Sequence, residues 1–343
     1  MTNLPDGYVI RSVRMDDATA ASELFNVCSE RLTGERPFDV DELLVEWRTP
    51  GFDLSRDTRV VIDGEGRLAG YAEIWDVEEP HVSVRSWGRV HPEHCGRGIG
   101  SALLTWEEER AREAVSMAPE KARVIMVGGA LEADEPARKL LVDNGFQVVR
   151  SFSRMLIEMD GPPEAAEWPD GIAVRAFRRE RDFERTIQAV RDSFADHWGH
   201  VDTPYEEELK QWRHWIDEDP HFDPSLWLLA EAGDEIAGMC LGHPKRHEDP
   251  QLGWIHVLGV TRPWRRRGIA LALLRHAFGV FHDRGKTKVG LGVDATSLTG
   301  AHRLYEKAGM SVNRRSLAYE KELRPGVDLS RRSLEEEGAH EAE

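Results

Sequence analysis

Two stretches of the chain place a Gly-rich turn between an apolar strand-like run and an apolar helical run. One is Leu258-Gly-Val-Thr-Arg-Pro-Trp-Arg-Arg-Arg-Gly-Ile-Ala-Leu-Ala-Leu-Leu, and the other begins Trp87-Gly-Arg-Val-His-Pro-Glu-His-Cys-Gly-Arg-Gly-Ile-Gly. Such a turn presents several backbone N–H groups at the positive end of a helix, an arrangement suited to a pyrophosphate. Two nucleotide-binding patterns are excluded. Neither Gly-rich turn carries the Gly-Lys-Ser/Thr of a P-loop, and the glycines do not follow Gly-x-Gly-x-x-Gly with a later acidic residue.

The elements around these turns occur twice in the same order, which is the signature of an internal repeat. Each copy opens with a strand and an Asp-containing turn: Tyr8-Val-Ile-Arg before Asp16-Asp17, and Ile172-Ala-Val-Arg before Asp182. Each continues with a helical pattern, through Ala21, Leu24 and Phe25 or Ile187, Val190 and Phe194. Hairpins follow, turning at Asp63-Gly-Glu-Gly and at Ala232-Gly-Asp-Glu. After each Gly-rich turn come a helix, a strand (Arg123 to Val127; Lys288 to Val293), a short helix ending at Gly145 or Gly309, and a closing strand. The expected boundaries are an N-terminal domain over 1–160, a linker over 161–171, a C-terminal domain over 172–325 and an acidic, disordered tail over 326–343.

The 343 residues suit two domains, and a 40% hydrophobic content suffices for two cores. No run is long and apolar enough to span a membrane, and the N-terminus lacks the basic and apolar regions of a signal peptide, so a cytoplasmic protein is expected. A formal net charge of −17 argues against nucleic acid or an anionic membrane as partner. Cys28, Cys95 and Cys240 are few and scattered, so reduced thiols are expected. His197 with His200, and His243 with His247, lack a third ligand at matching spacing, so no metal is expected.

The run Arg265-Arg-Arg-Gly-Ile-Ala270 matches the Arg/Gln-x-x-Gly-x-Gly/Ala signature of the GNAT N-acetyltransferases, and the whole repeat unit resembles that family. The resemblance implies an acetyl-CoA cosubstrate. Arg265, Arg266, Arg267, Gly268, Ile269 and Ala270 would then cradle its pyrophosphate, while Leu258 and Val260 pair with pantetheine through backbone groups. It also gives Tyr305, in Leu304-Tyr-Glu-Lys-Ala-Gly309, the role of general acid protonating the departing thiolate. The alternative for Tyr305 is a ring packed on a helix face. Ser297 stands near the place where the family's tyrosine-bearing helix starts from an Asn, and is counted with the cofactor site.

The first copy departs from the signature at two places. Cys95 stands opposite Arg265, and Leu141 aligns with Tyr305. Its turn keeps Gly96, Arg97, Gly98 and Gly100, so it is expected to serve as a structural or CoA-binding half without turnover. This asymmetry resembles the mycothiol-synthase-like two-domain acetyltransferases, in which the C-terminal half is active. Trp254 stands where those proteins carry an acidic residue, and together with Ser297 this points away from mycothiol synthesis itself.

An alkylammonium must lose a proton before it attacks a thioester. His256, two residues beyond Trp254 and so on the same face of a strand, is the candidate base; the alternative is a satisfied histidine in a half-buried strand. Within Ser193-Phe-Ala-Asp-His-Trp-Gly-His200, Asp196 would hold an ammonium and Trp198 would wall the acceptor pocket, with Trp254 beside them. The alternatives are helix capping by Asp196 and core packing of the tryptophans. The expected fold is α/β, two tandem GNAT-type domains, each a mixed, mainly antiparallel sheet flanked by helices. The expected reaction is acetyl transfer to the primary amine of a small molecule; the rivals are a silent CoA-binding sensor and an acyltransferase acting on a protein amine.

Overall fold

The computed structural model describes residues 4–245, 249–295 and 301–331. The expected Ser297 and the His247 of one histidine pair lie outside these residues. The first copy runs β1 (Val9–Arg11), α1 (Ala18–Thr33), α2 (Val40–Trp47), α3 (Leu54–Asp57), β2 (Thr58–Ile62), β3 (Leu68–Trp75), β4 (Ser83–Val90), α4 (Ile99–Ala111), α5 (Ala114–Met117), β5 (Val124–Leu131), α6 (Glu135–Asp143) and β6 (Gln147–Glu158). The second runs β7 (Ala173–Ala176), α7 (Arg179–Phe194), α8 (Tyr205–Glu218), β8 (Trp227–Ala232), β9 (Glu235–His243), β10 (Leu252–Val260), α9 (Ile269–Asp283), β11 (Lys288–Asp294), α10 (Ala301–Lys307) and β12 (Ser311–Arg324). Among the described residues no helix is long and apolar enough to cross a membrane.

The chain folds into two compact units that are discontinuous in sequence. Unit 1 holds Met1–Arg150, Thr203–Asp219 and Ser316–Leu329; unit 2 holds Ser151–Asp202, Pro220–Arg315 and the remainder. The contiguous division expected from the sequence is therefore not how the closing strands are used. β6 pairs antiparallel with β11 of unit 2, from Phe152↔Asp294 to Glu158↔Lys288, while β12 pairs antiparallel with β5 of unit 1. Met155 of β6 is fully buried in the second core, and Tyr319 of β12 is 1% exposed in the first unit. Helix α8 also belongs to unit 1, where the His214 ring lies 3.1 Å from the Val45 carbonyl.

Unit 1 has strand order β1-β2-β3-β4-β5-β12, and unit 2 has β7-β8-β9-β10-β11-β6. In each, one parallel pair (β4 with β5; β10 with β11) interrupts an antiparallel sheet. The helix after each Gly-rich turn lies on its sheet because a glycine opposite leaves room for it. A Cβ on Gly70 would come within 2.9 Å of Ile99 and 3.0 Å of Leu103; one on Gly238 would come within 3.2 Å of Ile269 and 3.1 Å of Leu273. Ile269, Leu273, Ala277 and Phe281 repeat every four residues or so and are all buried, as an amphipathic helix on a sheet requires.

The repeat extends to individual ion pairs. Arg11 holds Asp17 through two nitrogens, at 2.6 and 2.8 Å, and Arg175 holds Asp182 with the same two distances. Each aspartate also accepts a backbone N–H at 2.8 Å, from Arg14 and from Arg178. The two copies thus start their first helix with one and the same clasp.

Candidate active site

β10 is the element on which the second copy's site is built. It pairs with β11 only from Leu252↔Lys288 to Ile255↔Leu291, but with β9 as far as Val260↔Gly238. From Val257 onward one backbone edge therefore has no strand partner among the described residues. The β9 pairing also slips between Ile255 and Val257, leaving His256 as the extra residue of a β-bulge. The bulge resets the alternation of the strand. Ile255 belongs to the core beneath α9, and beyond the bulge Leu258 and Val260 pack against that same core. Gly259 faces the other way, toward Ser193 and Phe194 of α7. In the first copy β3 and β4 pair without a shift from Gly70↔Val90 to Trp75↔Arg85, so nothing there corresponds to His256.

The bulge leaves His256 exposed. Its ring lies 5.9 Å from that of His243, which lies 6.4 Å from that of His221. Trp254 is not in a position to wall an open pocket. It is 7% exposed, its indole covers Gly290 on the neighbouring strand, and the Arg154 guanidinium stands 5.7 Å from its ring. The sequence showed the i, i+2 relation of these residues; the bulge is what separates their environments.

The turn after β10 begins with a short 3-10 helix, Arg262–Trp264, and enters α9 through Gly268, whose φ is +87°. Arg266 also adopts a left-handed conformation, φ +61°, where the first copy has Gly96 at +75°. A side chain in that region costs about 1–2 kcal/mol, and such residues collect at functional sites. Arg266, Arg267 and Gly268 are exposed, Ile269 is 1% exposed and anchors the helix, and Ala270 is half-buried. Arg267 lies against the Trp264 ring, 4.7 Å from its centre. An exposed run of arginines at a helix N-terminus, where Gly268 has only the Pro169 ring near it, 4.0 Å from where a Cβ would lie, fits a pyrophosphate.

Arg265 turns inward instead. Its Nε donates to the Val260 carbonyl at 3.2 Å, and Nη2 donates to Ser193 O at 2.9 Å and Asp196 Oδ1 at 3.2 Å, with Nη1 on Asp196 Oδ2. Burial works against the Asp196 charge, but the Arg265 guanidinium, aided by Arg262, holds its carboxyl below the ordinary range. Asp196 thus braces the turn against the end of α7, a role that neither expectation for it included. Trp198 lies half-buried in the turn after α7.

Tyr305 is 7% exposed on α10 and part of the second core. Burial, with a smaller push from the Cys240 thiol, raises its hydroxyl to about 12, so it carries its proton throughout the neutral range. Its backbone carbonyl accepts the N–H of Met310 at 3.0 Å, as that of Leu141 accepts Phe146 N–H at 3.1 Å. The two residues are therefore structural equivalents, as the spacing to Gly145 and Gly309 implied.

The first copy keeps the shape of the turn, with Gly98 at φ +84°, but ties it differently. Arg97 donates to the Tyr8 hydroxyl at 3.0 Å, and that hydroxyl lies 2.8 Å from His94 Nδ1. Ligand-capable atoms of His91, Glu93 and His94 come within 4.8 Å of one another beside the turn. Gly100 packs closely, since a Cβ there would lie 3.2 Å from Leu140. The sequence reading missed two buried carboxyls in this unit, Glu73 and Glu107. Tyr71 and Trp75 donate to Glu73 at 2.5 and 2.9 Å, while burial pushes Glu107 up to about 8. The available signal was a Glu on the sheet-facing side of α4, four residues after Leu103.

Residues 21–146 and 187–310 each match the model of the acetyltransferase (GNAT) family. The chain is 30% identical to a mycothiol acetyltransferase of Salinispora arenicola, over 81% of this chain and 85% of that protein. It is likewise 30% identical to one of Streptomyces griseus, over 75% and 78%. Among solved structures, a GCN5-related N-acetyltransferase from Sphaerobacter thermophilus is 38% identical with a TM-score of 0.79, covering 95% of this chain and 99% of that one. A tandem GNAT protein from the clavulanic acid biosynthesis pathway, 15% identical, shares the fold with a TM-score of 0.69 over 93% of this chain and all of that one.

Proposed function

We propose, since this chain belongs to the acetyltransferase (GNAT) family and is an N-acetyltransferase, that its C-terminal copy transfers acetyl from acetyl-CoA to the primary amine of a small molecule. The observation that carries this reading is the conjunction, in that copy alone, of the bulge at His256 and a tyrosine on α10. The Arg265–Ala270 turn receives the pyrophosphate on backbone N–H groups, with Arg266 and Arg267 supplying charge. The open edge of β10 beyond Val257 holds the acyl-bearing arm and offers N–H groups to the thioester carbonyl. His256 takes the proton from the incoming ammonium, and Tyr305 gives its phenolic proton to the departing sulfur.

The acceptor is a small amine, and the names of the relatives at 30% identity make a cysteinyl amino-sugar one member of the class to test. The test is CoA release across amino sugars, polyamines, amino acids, aminoglycosides and that cysteinyl amino-sugar, with His256→Gln in parallel. One amine class is expected to drive turnover. In His256→Gln, kcat/KM for that amine falls by about 10²-fold or more, and the acidic limb of its pH profile flattens. An unchanged pH profile removes His256 as the base. Acetyl-CoA binding with no thiol release for any amine replaces the enzyme reading by a CoA-binding sensor.

A further inference from the structure

Arg265 and the end of α7 have counterparts in the first copy that are both cysteines. Cys95 corresponds to Arg265: each follows a 3-10 turn and donates its N–H to the carbonyl three residues back, at 3.4 Å to Pro92 and 3.3 Å to Arg262. Cys28 corresponds to Ser193, each eleven residues beyond the aspartate, Asp17 or Asp182, that makes the same clasp at the start of its first helix. Val90 likewise corresponds to Val260, because each pairs with the glycine under the following helix.

Both thiols approach that one carbonyl, with Cys95 Sγ also 3.6 Å from the His91 carbonyl. Cys28 Sγ lies 3.3 Å and Cys95 Sγ 3.9 Å from Val90 O, so the sulfurs are no farther apart than those two distances laid end to end. Cys95 is exposed and Cys28 is 6% exposed. In the second copy, the same two places and the same carbonyl are joined by the Arg265 guanidinium. The first copy lacks that cation and holds two thiols instead.

We propose that Cys28 and Cys95 form a reversible disulfide that ties the N-terminal Gly-rich turn to α1, the covalent counterpart of the Arg265 brace. The oxidant is a low-molecular-weight disulfide. The Cys95 thiolate attacks one of its sulfurs and releases the first small thiol. The Cys28 thiolate then attacks the Cys95 sulfur and releases the second. Two protons leave the cysteines, and two electrons reduce the small disulfide to two thiols. Burial raises the Cys28 thiol to about 11, with the Arg89 charge opposing, so the second step accelerates as pH rises. Cys240 is fully buried in the other unit and takes no part.

The test is incubation of the full chain with glutathione disulfide, alkylation, and peptide mapping without reduction. The expected result is one peptide pair joining Cys28 to Cys95, reversed by dithiothreitol, with titratable thiols in denaturant falling from three to one. Cys28→Ser should instead accumulate glutathione on Cys95, and Cys95→Ser should stay unmodified at both remaining cysteines. Accumulation in the wild type of a Cys95–glutathione adduct with Cys28 still alkylatable would overturn the proposal. So would a Cys95–Cys95 link between two chains.

Discussion

Tyr305→Phe is expected to lower kcat by about 10²–10⁴-fold, the range that a positioned general acid supplies, while KM for acetyl-CoA changes little. The ring stays in the core with its packing, so loss of stability does not enter. What is removed is a proton held in place by burial. A hydroxyl at about 12 loses no proton between pH 6 and 9, so the deficit should be the same across that range. A stopped assay of CoA thiol with saturating amine checks both points. Turnover within about twofold of wild type would exclude Tyr305 as the acid, since even the low end of general-acid catalysis is about a hundredfold.

A large effect on stability is expected at Arg175, on the edge strand β7. Its guanidinium bridges Asp182, at 2.6 and 2.8 Å, and Glu231, at 2.6 and 2.7 Å. The Asp182 side chain is fully buried and that of Glu231 is 11% exposed, so removing the cation leaves two poorly hydrated carboxylates with only the longer side-chain contacts of Arg181 and Arg185, at 3.3 to 3.7 Å. Breaking a buried pair costs about 3–5 kcal/mol; the partial exposure of Arg175 argues for the lower half of that range. The sign with pH follows from the carboxyls. Burial works against the Asp182 charge, but the Arg175 hydrogen bond holds it low; for Glu231 that same bond is the leading cause. Carboxyls held low stabilise the fold above the ordinary carboxylate pKa of about 4, and that contribution disappears as pH falls through their lowered values. Urea unfolding of wild type and Arg175→Ala should therefore differ most near neutral pH and begin to converge only as pH falls below about 4. A constant difference would show that lost packing, not charge, is responsible.

What the sequence made legible is local or periodic. The two Gly-rich turns, the two glycines ending the short helices, and the correspondence of Leu141 with Tyr305 are all fixed by spacing within a few residues, and the structure has them as read. The bulge was hidden because it is a relation between strands: His256 is extra only against the register of β9. The brace from Arg265 to Asp196 joins residues 69 apart, and no periodicity marks such a pair. The assignment of β6 and β12 was hidden for a similar reason. Each closing strand offers apolar residues to either sheet, and only the folded pairing decides which core Met155 and Tyr319 enter.

The central claim is that the second copy performs the chemistry, and the most direct test compares Gly98→Asp with Gly268→Asp. Both glycines begin their helices at nearly the same angle, φ +84° and +87°, so the conformational cost of about 1–2 kcal/mol is matched. Each substitution also sets a negative charge where a pyrophosphate would lie. Measured as CoA release from acetyl-CoA with the best amine, Gly268→Asp is predicted to lose activity by about 10²-fold or more, while Gly98→Asp stays within a few-fold of wild type. The reverse pattern, with turnover abolished by Gly98→Asp and retained in Gly268→Asp, would contradict the account and move catalysis to the first copy.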